Sequence, residues 1–111
     1  MDKTIFVDVD DTLVRSFGSK QVPMGHVIES VKRLAVSGAQ IFLWSSGGAE
    51  YCKRIAEEFG LANCVSGYLP KPDAYLDDQK VDEWRFCRHY YPGQVDDLMS
   101  DWTGTPSAKS S

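Results

Sequence analysis

The sequence predicts an α/β fold, a parallel sheet with helices on its faces, and three observations carry that prediction. Strand-like apolar runs alternate with helical periodicities in the order strand, helix, strand, helix, strand, strand, helix. Three of the strand-like runs end in polar residues suited to chemistry: Asp8-Val9-Asp10, Ser45-Ser46 and Asp77-Asp78. The 111 residues amount to one domain, and 42% apolar content is enough to bury a core. A parallel sheet brings the carboxyl ends of its strands to one edge, where ligands of such folds bind.

Each element has its own reason. Thr4–Asp8 is apolar at nearly every position and reads as a buried strand. The polar stretch "RSFGSKQVPMG" leads into "HVIESVKRLAVSG", where Val27, Val31, Leu34 and Ala35 recur at helical spacing and Gly38 supplies a stop. "AQIFLWSS" is a second buried strand. "GGAEYCKRIAEEFG" sets Tyr51, Ile55 and Phe59 on one helical face, ending at Gly60. "NCVSGYL" reads as a third strand and "DAYLDD" as a short fourth. "KVDEWRFCRHYY" is expected to form a third helix, halted by Pro92-Gly93, and "QVDDLMSDW" to add a turn or two. Residues 1–102 make the core on this reading. The tail 103–111 has no apolar content worth burying and is expected to be disordered.

Composition narrows the function. A net charge of −4 with 25% charged residues argues against a general nucleic-acid binder. No run has the length of a membrane-spanning helix, and no charged-then-apolar leader opens the chain. Cys52, Cys64 and Cys87 are odd in number and form no CxxC pair, which reads as reduced thiols in a cytoplasmic protein.

"IFVDVDDTLV" raises the central chemical question, because Asp8 lies between two valines where a charge is costly. In extended chain, Asp8 and Asp10 point to the same side. With Asp77 and Asp78 at the same sheet edge, several carboxylates would share a small volume, and their repulsion implies a hard divalent cation. All-oxygen ligands suit Mg²⁺. One carboxylate can then attack phosphorus, while a second holds the leaving oxygen's proton and afterwards activates water.

"DVDDT", a serine after a hydrophobic strand, a lysine and then an acid pair form a four-part pattern over roughly residues 4 to 90. In that pattern the chain resembles the capless phosphatases of the haloacid dehalogenase superfamily. The resemblance implies a three-layer α/β/α Rossmann-like core, a parallel sheet of four to five strands and no cap domain. It implies Asp8 as the nucleophile that becomes an aspartyl phosphate, and Asp10 as general acid and base. Ser45 would bond the phosphoryl group, with the amides of Ser46 and Gly47 nearby, and Thr12 would shape the turn after the strand. Lys71 would neutralise the nucleophile and the phosphoryl oxygens. Mg²⁺ would be held by Asp8, the Asp10 carbonyl and Asp78, with Asp77 on the metal or its waters.

Blander readings stand beside these. "DVDDT" alone can be a strand end before an Asp-rich turn, and "SSGG" is good capping chemistry, with Ser46 the expected cap. Lys71 alone could be a solvated loop lysine, and Arg15, Lys53 and Arg54 read as solvated. His26 and His89 have no partner at a telling spacing. "VRSFGSKQVPMG" is too short for a folded cap, so the site is expected to be open. An open site fits a phosphorylated macromolecule, including a nucleic-acid end, or a neighbouring subunit as lid. Trp84, Tyr90, Tyr91 and Trp102 suggest a homodimer built on the C-terminal segment, against packing on the sheet that would cover Trp84 first. Two other functions compete: a receiver-type phosphoacceptor, disfavoured because "NCVSGYL" carries no Asp, and a catalytically idle binding domain.

Overall fold

A computed structural model describes residues 3–103. Its first element is β1, Thr4–Asp8, as the sequence predicts. An antiparallel hairpin follows, β2 Val14–Phe17 and β3 Lys20–Pro23, where the sequence predicts only a polar connection. Then come α1 Gly25–Val36, β4 Gln40–Ser45, α2 Ala49–Glu58, β5 Val65–Pro70 and α3 Val95–Thr103. The three strands β1, β4 and β5 form a parallel sheet in the order β1-β4-β5. No helix among the described residues is long and apolar enough to cross a membrane.

Alternation decides which face of the sheet is buried. Val7, Ile41 and Leu43 point to one side and join a single core with Val27, Ile28, Val31 and Leu34 of α1, Cys52, Ile55 and Ala56 of α2, and Val95 and Met99 of α3. Phe6, Phe42 and Trp44 point to the other. Phe6 packs against Phe42 and edge-on against Trp44, with ring centroids 5.4 and 5.1 Å away. Even so, Phe6 remains 45% exposed. Among the described residues, then, the helices share one core on one side of a three-stranded sheet, and the expected three layers and four to five strands are not formed.

Two expected elements are absent for identifiable reasons. Residues 73–78, the expected fourth strand, form no ladder and are exposed throughout. Tyr75 and Leu76 are adjacent, so a strand would send them to opposite faces, and acids flank both. Residues 80–91, the expected third helix, contain only a 3₁₀ turn at Val81–Glu83. Val81, Trp84 and Tyr91 recur at helical spacing but all stay exposed, so no packing of an apolar face supports a helix there.

The C-terminal aromatics reverse the expected order of burial. Trp102 on α3 packs against the core, with Lys3 Nζ 4.9 Å from its ring centroid, whereas Trp84 is exposed. His26, which had no expected partner, contacts Asp96 Oδ1 at 2.7 Å and ties α1 to α3. Thr103 ends α3, and the remainder of the expected disordered tail lies outside the described residues.

The one-sided core gives a direct expectation. Leu43→Ala, at a fully buried site, should cost about 2–5 kcal/mol in urea unfolding. Phe6→Ala should cost well under half as much, because its ring is already half in water. Equal costs would mean that the second face of the sheet is covered in solution.

Candidate active site

The parallel register sets the site. Asp8 is the last residue of β1, Ser45 the last of β4, and Lys71 follows Pro70 at the end of β5, so all three reach the carboxyl edge of the sheet. The Lys71 amide donates to the Ser45 carbonyl at 2.9 Å, which carries the ladder one residue beyond the strand. Lys71 Nζ then lies 3.0 Å from Asp8 Oδ1 and 5.7 Å from the centroid of Trp44. Thr12 Oγ1 donates to Asp8 Oδ2 at 3.2 Å. Both oxygens of Asp8 therefore have a donor. Asp8 and Lys71 are each about a third exposed, so their ion pair orients more than it stabilises.

Asp10 is brought back toward the sheet by the loop that follows β1. Val9 and Leu13 are fully buried anchors, and the Val9 carbonyl accepts from the amides of Leu13 and Val14 at 2.9 and 3.2 Å. Asp11 sits between them at φ +62°, a left-handed conformation that Asp tolerates better than most residues. The returned Asp10 carboxylate accepts from Ser45 Oγ at 3.4 Å on Oδ2 and from Tyr51 OH at 2.6 Å on Oδ1. Gln21 Nε2, on the hairpin, donates to Tyr51 OH at 2.5 Å.

Ser45 is only 1% exposed, and its hydroxyl also accepts the Gly47 amide at 2.9 Å. Gly47 is small for a reason. A Cβ there would lie 3.0 Å from Tyr51 Cδ2 and 3.3 Å from Ser45 Oγ. Ser46 was the expected cap of α2, but Gly48 occupies that position at φ +100°, and Ser46 is exposed in the turn before it. A left-handed φ at the entry to the helix favours glycine.

The electrostatics follow from these contacts. Partial burial, and then the bond to Asp10 and its charge, push the Tyr51 phenol up to about 12. Burial raises the Cys52 thiol, and the nearby charges of Asp10 and Asp8 raise it further.

Five of the expected site residues thus meet at one edge: Asp8, Asp10, Thr12, Ser45 and Lys71, with Gly47 beside them. Asp77 and Asp78 do not join them. Both lie on the exposed segment after β5, where Asp77 Oδ1 accepts the Gln79 amide at 2.9 Å. Among the described residues no three His, Cys, Asp or Glu side chains come together as a metal site. Asp8 and Asp10 still supply hard oxygen donors, and Mg²⁺ is commonly held by one or two carboxylates, with water and phosphate completing its shell. The donor chemistry of that pair fits the ion.

Sequence reasoning passed over Tyr51 and Gln21. Tyr51 reads as the first apolar member of the α2 stripe. Its position just after "SSGG" was the available signal, because the first turn of that helix stands over the strand ends. No family model, curated protein or solved structure matches the chain.

The Tyr51–Asp10 bond can be checked by ultraviolet titration of the tyrosines. The folded value lies above the ordinary 10.0, so the stability tied to this phenol is present below pH 10.0 and lost as pH rises through about 12. Tyr51→Phe should delete one phenol from the latest part of the titration. Loss of an early-titrating phenol would contradict the bond.

Proposed function

We propose that the chain is a magnesium-dependent phosphomonoester hydrolase of the haloacid dehalogenase type, working through an aspartyl phosphate on Asp8. The observation that carries this reading is the meeting of Asp8, Asp10, Ser45 and Lys71 from three separate strand ends. A strand end followed by a solvated turn would explain Asp10 and Asp11, but not a lysine brought to Asp8 from β5.

The roles follow from position. Asp8 Oδ, held by Lys71 and Thr12, attacks phosphorus and forms an acyl phosphate as the ester oxygen leaves. Asp10 gives its proton to that leaving oxygen, then takes one from the water that attacks the acyl phosphate, which releases inorganic phosphate and restores Asp8. Lys71 offsets the negative charge that gathers on the phosphoryl oxygens. Ser45 turns its hydroxyl toward a phosphoryl oxygen once substrate competes with Asp10 for it. Bound Mg²⁺ would lie at Asp8 and the Asp10 carbonyl and would supply further charge neutralisation there.

The connections around the site are short. The one from β1 to α1 is a hairpin of two four-residue strands, and the one from β4 to β5 holds α2 and a 3₁₀ turn. An edge this open suits a phosphoryl group carried on a large molecule, and a second copy of the chain as lid is the competing arrangement. Light scattering separates them: a monomer mass near 12.4 kDa favours the large substrate.

Hydrolysis of an aryl phosphate should require Mg²⁺, stop with EDTA, and fall to background in Asp8→Asn, which keeps the shape and removes the charge. Asp10→Asn should lower kcat by about 10²–10⁴-fold. Full activity in Asp8→Asn would refute the nucleophile, and EDTA-resistant activity the metal.

A further inference from the structure

Tyr51 joins three parts of the molecule that the chemistry alone does not require to touch. Its backbone belongs to the first turn of α2, next to the fully buried Cys52. Its hydroxyl bonds Asp10 on the loop after β1, and the same oxygen takes a hydrogen bond from Gln21 on β3. The ring lies where a side chain at Gly47 would stand, and the Arg54 guanidinium is 5.2 Å from its centroid. Ring and hydroxyl are therefore held from separate directions.

The direction of the chain of bonds is fixed by the donor inventory. A side-chain amide nitrogen can only donate, and a phenol has one proton. With Gln21 Nε2 donating to the phenol oxygen, the phenol proton is left to point at Asp10 Oδ1. We propose that Tyr51, oriented by Gln21, is a positioning residue that fixes the Asp10 carboxyl group for proton transfer; this rests on the hydrolase reading above.

The consequence is an assignment of the two Asp10 oxygens. Oδ1 is held by Tyr51 at 2.6 Å, whereas among the described residues Oδ2 has only the longer contact from Ser45 at 3.4 Å. Oδ2 is thus the oxygen that carries the proton to the leaving group and later removes one from water. Oδ1 accepts the Tyr51 proton in both states, as a carboxylate oxygen and as the carbonyl of the acid. The carboxyl group keeps one orientation through both half-reactions, which is where a positioned acid gains its advantage.

The test uses leaving groups. A nitrophenolate departs without a proton, and an alkoxide does not, so only an alkyl phosphate depends strongly on Asp10 in the first step. Since kcat/KM reports the steps up to departure of the leaving group, Tyr51→Phe should lower it about ten-fold more for an alkyl phosphate than for 4-nitrophenyl phosphate. Gln21→Ala should act the same way but more weakly, and should add nothing in the Tyr51→Phe background. It also carries the test if Tyr51→Phe does not fold. A loss equal on both substrates, or no loss, would overturn the positioning role while leaving the hydrolase reading intact. Wild-type protein inactive on both substrates would overturn the hydrolase reading and this inference with it.

Discussion

The contact on which the site depends is the one at the end of β1, where Lys71 meets Asp8 at 3.0 Å and fixes the direction of a carboxylate that is about a third exposed. That contact exists because β1, β4 and β5 run parallel. In such a sheet the strand ends line up along one edge, and Lys71 crosses the end of β4, over Trp44, to reach Asp8. Asp8, Ser45 and Lys71 come from three strands and meet at the same edge. The rest of the site is built around that meeting: Thr12 bonds the free oxygen of Asp8, and the loop after β1 folds back to set Asp10 against Ser45.

Two layers of support hold Asp10 where strand geometry alone would not. Residues i and i+2 of an extended chain share a side, but Asp10 lies beyond the strand, and its place comes from the buried Val9 and Leu13 with the left-handed turn at Asp11. Tyr51 and Gln21 then fix the carboxylate from α2 and the hairpin. The hairpin is accordingly part of the site's frame, although it is too small to close over it.

Much of this was legible in the residues. β1 is a continuous apolar run with a definite end, and β4, β5, α1 and α2 also lie where their periodicities put them, because burial of one face dictates both pattern and position. The hairpin was missed although "VRSF" and "KQVP" flank a Gly-Ser pair, a two-residue turn signal; their polar composition hid it. The segment 73–91 misled in the opposite direction. Its acids and aromatics suggest a strand and a helix, but the apolar side chains of neither find a core to bury against. Asp77 and Asp78 fall there, and so the four-carboxylate cluster read from the sequence reduces to two. Tyr51 was hidden by chemistry of another kind, since a tyrosine on an apolar stripe looks like core until its hydroxyl is traced.

On the proposed mechanism the Asp8 carboxylate attacks phosphorus and becomes a covalent intermediate that can be captured. Protein turning over an aryl phosphate with Mg²⁺ would be quenched in acid, digested and analysed by mass spectrometry. An aspartyl phosphate on Asp8 would place one phosphoryl group on the peptide containing that residue, removed by hydroxylamine and missing from Asp8→Asn. Steady hydrolysis with no label on that peptide, or with the label on another residue, would contradict it.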